Sequence, residues 1–179
     1  KIFKDLSKKS FDRLIIAGGD GSVCFAINQL VKSFDKNSIP VLGYIPAGTT
    51  NILQFELNVK QKAKAIYKML VSDKIKNIHL AKINDKYFFL MTGIGFDSKI
   101  VESIDSRVKK YLGKIIFFLK GFQHFIFLNN KKMKEEINNH IYKADWVLCT
   151  NSKFYAGAHS ITKDTNIFDK KIITYIFEG

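Results

Sequence analysis

The sequence predicts an α/β lobe followed by a β-rich second half, and three observations lead there. A short apolar run, Leu14-Ile15-Ile16-Ala17, stops at Gly18-Gly19 and gives way to apolar residues at helical spacing. The same order recurs in weaker form over the next forty-odd residues, and alternation of this kind implies a parallel sheet flanked by helices. From about Ile78 the texture changes to runs rich in β-branched and aromatic residues, which suit strands. With no repeat and no Pro/Gly linker between the parts, the boundary is expected near residue 78, giving lobes of 1–78 and 79–179.

The elements follow in order. Asp12 and Arg13 precede the first apolar run, which reads as a buried parallel-type strand entering a glycine turn. Val23, Phe25, Ala26, Ile27, Leu30, Val31 and Phe34 then recur at largely helical spacing and mark a helix. Pro40-Val41-Leu42-Gly43-Tyr44-Ile45 reads as the second strand, Pro46 to Asn51 as a loop, and about Gln61 to Val71 as a second helix. In the second half, Lys86 to Met91, Ala144 to Thr150 and Ile172 to Phe177 read as strands. Ile115 to Leu128 is a Phe-dense helix candidate, and Asn129 to Lys134 reads as a lysine-rich loop with solvated charge.

Bulk composition bounds the function. The 179 residues are 46% hydrophobic and 25% charged, an ordinary globular balance. Lys plus Arg number 29 against 16 Asp plus Glu, for a formal charge of +13, and so basic a surface attracts phosphates or serves solubility alone. Cys24 and Cys149 offer neither a disulfide framework nor a zinc spacing, which suits a reducing cytoplasm. The four histidines, His79, His124, His140 and His159, have no i, i+4 partner, so a zinc site is not expected. No run reaches the ~18 apolar residues of a membrane span, and the first residues lack a signal-peptide layout. The expected location is cytoplasmic, soluble or peripheral to a membrane.

Gly18-Gly19-Asp20-Gly21-Ser22 lies where a strand ends and a helix begins. Backbone N–H groups converge on an anion there, the helix dipole favours negative charge, and glycine lets the backbone approach phosphate closely. The Asp20 carboxylate makes sense beside phosphates if it holds Mg²⁺ or orients a hydroxyl attacking the γ-phosphate of ATP. Taken alone, the loop also reads, less strongly, as a tight turn with Asp20 capping the helix that follows. A second loop, Gly48-Thr49-Thr50-Asn51, follows the next strand and favours the phosphate reading, because open α/β sheets bind ligands at the carboxyl ends of their strands. Neither loop is a Walker P-loop or a dinucleotide fingerprint.

Together "LIIAGGDGS" and "VLGYIPAGTTN" resemble the nucleotide-binding signatures of the diacylglycerol, sphingosine and ceramide kinase superfamily. NAD kinases share the Gly-Gly-Asp-Gly loop but not the loop carrying Pro46, Gly48, Thr49 and Asn51. Downstream, "KINDKYFFLMTGIGFD", "LGKIIFFLKGF" and "CTNSKFYAGAHSI" are similar to second-domain signatures of the bacterial members. The resemblance implies a diacylglycerol kinase-like α/β nucleotide-binding lobe joined to a β-sandwich-like lobe, with ATP and Mg²⁺ between them. It implies that Gly18, Gly19, Gly21, Ser22, Gly48, Thr49 and Asn51 line the nucleotide. Asp20 would serve the reaction and Lys120 would sit near the transferring phosphate.

By the same resemblance both ends are expected to be missing: a preceding glycine loop that contacts ATP, and a later acidic motif that supplies base and metal contacts. His79 stands where many members have Asp, and Asp169-Lys170 replaces an Asp-Gly turn. Lys114 to Phe122 interleaves aromatics with lysine, as an interfacial helix does, and reads equally as a buried connecting helix. Arg107, Lys109 and Lys110 either add attraction to anionic lipids or form a solvated face. The expected function is ATP-dependent transfer of phosphate to a lipid hydroxyl at a membrane surface, diacylglycerol or a related lipid being the expected acceptor. The alternative is a catalytically impaired module that binds nucleotide or anionic membrane. No nucleic-acid partner is expected, since no recognised motif is present; the metal ligands, the lipid and the oligomeric state are not legible.

Overall fold

The computed structural model describes residues 2–6, 11–95, 133–137 and 140–178. Lys120, the helix candidate over 115–128, Arg107, Lys109, Lys110 and His124 lie outside the described residues. The chain runs through α1 (Ile2–Leu6), β1 (Arg13–Gly18), α2 (Asp20–Ser33), β2 (Val41–Pro46), α3 (Ile52–Glu56), α4 (Ala63–Leu70), β3 (Ala81–Ile83) and β4 (Lys86–Phe88). Then come β5 (Met91–Gly95), β6 (Met133–Ile137), β7 (His140–Ala144), β8 (Trp146–Thr150), β9 (Phe154–Tyr155), β10 (His159–Ser160) and β11 (Ile173–Phe177).

Two compact units divide these elements: residues 1–90 with 151–171, and residues 91–150 with 172–179. The division differs from the one expected at 78/79, which rested on the change of sequence texture. The reason lies in side-chain ties that composition does not reveal. Asn28 on α2 accepts the Tyr87 N–H at 2.8 Å and donates to the Tyr87 carbonyl at 2.7 Å, which binds the β3–β4 hairpin to the first unit. Segment 151–171 returns to that unit: the Asn151 N–H donates to the Leu90 carbonyl, and the His79 N–H to that of Ile167.

In the first unit β1 and β2 pair in parallel, from Arg13 opposite Val41 to Gly18 opposite Pro46. The matched register ends both strands at one level, so both glycine-bearing loops leave from the same edge. The helix between them buries Val23, Ala26, Ile27 and Leu30, an i, i+3, i+4, i+7 face, and packs on β1. Burying each of the larger aliphatic side chains contributes ~1.5–3 kcal/mol. The expected helix over 61–71 is α4, and it packs on β2.

The second unit holds the antiparallel sheet β11-β8-β5 and the β6–β7 hairpin. Val147 and Leu148 are its buried centre, and Trp146 stacks on Phe177 with ring centroids 4.2 Å apart. The strand expected over Lys86–Met91 is two strands, because the chain leaves the β3 ladder after Phe88 and joins β8 from Met91. The run expected over Ala144–Thr150 is likewise divided, at Asp145, whose N–H donates to the Phe177 carbonyl. Lys134, expected in a loop, pairs opposite Lys143 in the β6–β7 ladder, since backbone pairing rather than side-chain polarity decides its conformation.

Candidate active site

The site is assembled where β1 and β2 end. The Ala47 N–H donates to the Gly18 carbonyl at 3.0 Å and carries the strand pairing one step into the loops. Beyond that step the backbones of Gly19 and Gly48 touch. A methyl group on Gly48 would land on the Gly19 Cα and 2.7 Å from Asn51 Oδ1, and one on Gly19 would sit 3.1 Å from the Gly48 Cα. Contact between two stretches of main chain thus requires glycine at 48 and leaves little room for a side chain at 19.

Gly21 is different. A Cβ there would meet nothing within 4 Å, so packing does not demand glycine at this position. It lies at the start of α2, where helix geometry leaves the first amides without intrahelical acceptors and the dipole is positive. The open space and the amide end of the helix leave room for an anion. Ser22 is exposed beside Gly21, with its Oγ close over Gly18, and Thr49 is half-buried in the facing loop.

Asp20 holds the two loops together. Its Oδ2 accepts the Ile52 N–H at 2.8 Å and its Oδ1 accepts the Leu53 N–H at 3.0 Å. The carboxylate therefore caps α3, which follows the second loop, rather than its own helix. The turn-with-cap reading was right in kind and named the wrong helix.

Asn51 builds its own loop. It is 5% exposed and adopts a left-handed conformation at φ 51°, which Asn tolerates better than most residues. Its Oδ1 accepts the Gly48 N–H at 2.9 Å and the Tyr44 hydroxyl at 3.1 Å, while its Nδ2 donates to the Gly48 carbonyl at 2.8 Å. The carboxamide is engaged in shaping the turn. Tyr44 is buried, and burial first, then the nearby Asp20 charge, holds its phenol well above the usual range and keeps it a donor.

The other end of α3 carries a residue that sequence reading missed. Glu56 accepts the Ser152 hydroxyl at 2.7 Å and the Lys153 N–H at 2.6 Å through Oε1, and the Ile167 N–H at 3.5 Å through Oε2. The five-residue helix is thus a strut, tied by Asp20 to the first glycine loop and by Glu56 to segment 151–171. Its signal in the sequence was an acid inside the apolar stretch Ile52 to Leu57. Tyr44 gave a similar one, since a phenol on a buried strand needs a partner for its hydroxyl.

His79 is fixed through its main chain; its carbonyl accepts Asn151 Nδ2 at 3.0 Å. Asp169 closes a turn over Asn166–Asp169, accepting Asn166 Nδ2 at 2.7 Å while its own N–H donates to the Asn166 carbonyl. Among the described residues no group of three or more His, Cys, Asp or Glu side chains is placed to hold a metal. A cavity of about 720 Å³ in the same unit is lined mainly by apolar residues of α2, β2 and the segment after α4, and none of the loop residues Gly18–Ser22 or Gly48–Asn51 lines it.

The first 83 residues match the Diacylglycerol kinase catalytic domain family, and that stretch contains both loops and all of α3. Similarity continues beyond that segment. The chain is 25% identical over 175 residues to a diacylglycerol kinase of Staphylococcus haemolyticus, covering 96% of this chain and 52% of the relative. It is 24% identical over 169 residues to a diacylglycerol kinase of Bacillus subtilis, covering 93% and 55%. The chain thus spans about half the length of these curated relatives. In fold it is similar to the crystal structure of a diacylglycerol kinase from Bacillus anthracis, with a TM-score of 0.70 at 24% identity over 99% of this chain and 57% of that one. The mixed arrangement of helices and sheets is similar to that of the Bacillus anthracis structure. Among the described residues no helix is long and apolar enough to cross a membrane.

Proposed function

We propose that this chain is part of an ATP-dependent lipid kinase that moves the γ-phosphate onto a lipid hydroxyl, with diacylglycerol or a close relative as acceptor. The observation that carries the reading is the paired-loop geometry: Gly19 against Gly48, Asp20 bonded across to Ile52 and Leu53, and open space over Gly21. In this reading the Asp20 and Gly21 amides at the start of α2 and the Ser22 hydroxyl hold the phosphates, with Thr49 contributing from the second loop; the Ser22 and Val23 amides already donate to the Gly19 carbonyl. Each oxygen of Asp20 uses one acceptor position on α3 and keeps another. The remaining positions suit a metal ion or the proton of an incoming hydroxyl, which is the role Asp20 is assigned. Mg²⁺ is held by one or two carboxylates plus substrate phosphates, so a single loop acid is compatible with it. When bound, it neutralises charge developing on the transferred group. Lys120, assigned by resemblance to the transferring phosphate, lies outside the described residues.

A second reading is favoured by the same carboxylate. Because Asp20 already serves two backbone amides, the loops are able to bind nucleotide without catalysing transfer. The deciding experiment is transfer of labelled γ-phosphate from ATP with Mg²⁺ to diacylglycerol, phosphatidylglycerol and sphingoid bases in mixed micelles, with nucleotide binding measured in parallel. Lipid-dependent label transfer supports the kinase; binding of ATP with no transfer to any lipid leaves the binding module.

A further inference from the structure

The helix α4 presents two different faces. Ala65, Ile66, Met69 and Leu70 are half-buried, and the helix packs on β2. Lys64, Tyr67, Lys68 and Val71 recur at i, i+3, i+4 and i+7, one outward stripe, and all four are exposed. Tyr67 is 66% exposed and Val71 55%, values that leave large apolar surface in water. The connector that follows borders the cavity and carries Lys76 over the Phe168 ring, yet leaves Ile75 58% exposed between exposed Lys74 and Lys76. Residues 60–76 hold six lysines and a single acid, Asp73, which lies 3.7 Å from Arg13.

We infer that this outward face of α4 is the surface by which the protein docks on an anionic lipid bilayer. Lysine stems lie along the apolar boundary while their ammonium groups reach phosphate headgroups. Between them Tyr67 and Val71 enter the interface, as the apolar residues of interfacial helices do. The charge selects an anionic partner. The aliphatic Val71 and Ile75 select hydrocarbon over nucleic acid, whose bases stack on aromatic rings and whose backbone asks only for cations. The inference deepens the lipid-kinase reading by naming the face that meets the lipid, yet it stands on the patch itself and is tested without ATP.

The test is co-flotation of the full chain with vesicles of phosphatidylcholine alone or mixed with phosphatidylglycerol, across a salt series. Binding should need the anionic lipid and weaken with salt. Lys64→Gln/Lys68→Gln should lower partitioning roughly 30-fold, from two headgroup-facing lysines. Tyr67→Ser/Val71→Ser should also weaken binding but leave its salt dependence intact. All four positions are exposed, so thermal melts of the variants should overlay the parent. Equal binding to both vesicle types, or no change in either double variant, would overturn the assignment. So would an oligonucleotide that binds as tightly as the anionic vesicles and responds to the same lysines. Loss of vesicle binding by the variants in a protein that transfers no phosphate would support docking while defeating the kinase reading.

Discussion

Replacing Asp20 by Asn separates the structural role of this residue from its proposed chemical one. The carboxylate accepts two backbone N–H groups, at 2.8 Å from Ile52 and 3.0 Å from Leu53. A carboxamide has one accepting oxygen, so whichever way it turns, one of these amides faces an NH₂ group. One charge-assisted bond is lost and the other becomes a neutral one, and hydrogen bonds to charged groups contribute about 1.5–3 kcal/mol each. Because the site is half-buried, the expected loss is toward the lower end, about 2–3 kcal/mol. For a chain of this size that lowers Tm by about 4–12 °C. Thermal melts followed by circular dichroism read this directly, with phosphate transfer measured well below the transition. A chemical role adds loss of transfer beyond what the unfolded fraction explains. If Asp20→Asn melted within about 1 °C of the parent, the tie between the loops would not matter energetically, and α3 as a strut would have to be abandoned.

Four further outcomes follow from the same geometry. Gly48→Ala should destabilise by about 1–3 kcal/mol, because the added methyl meets backbone that cannot yield. Gly21→Ala should keep or slightly raise stability while weakening ATP binding, and paired urea melts and nucleotide titrations distinguish the two. Glu56→Ala removes the acceptor for Ser152, Lys153 and Ile167, and should cost about 3 kcal/mol while making segment 151–171 the first site of limited proteolysis. Equal protease resistance in parent and variant would contradict the anchoring role. Tyr44→Phe should cost about 1 kcal/mol at neutral pH through its lost hydrogen bond to Asn51. The folded phenol is raised above its ordinary value of 10.0, so its neutral form is favoured by folding. That contribution is complete below pH 10.0 and is lost as pH climbs toward the folded value. The stability gap between parent and Tyr44→Phe should therefore narrow above pH 10.0, and a gap that widened there would contradict the assignment.

The strand, glycine loop and helix over residues 13–33 were legible because local rules agree there: an apolar run, a glycine stop and helical periodicity point the same way. The second loop was legible as a loop, and the two motifs together were specific enough to suggest a kinase-like nucleotide site. Alternation of strand and helix likewise implied the parallel pairing of β1 with β2.

What sequence could not supply is which group each polar side chain satisfies, since that depends on neighbours brought close only by folding. Asp20 reads as a reactive acid along the chain, but its first partners are amides 32 and 33 residues away. Asn51 reads as a nucleotide contact and is engaged by Gly48 and Tyr44. Glu56 drew no reading from the sequence, and its partners lie 96 to 111 residues further on. Sequence determined where the chain stops, turns and carries charge, because those properties are set within a few residues. Tertiary structure alone decided which of those charges remain available, because a buried or half-buried carboxylate and carboxamide first bond the backbone that lies against them.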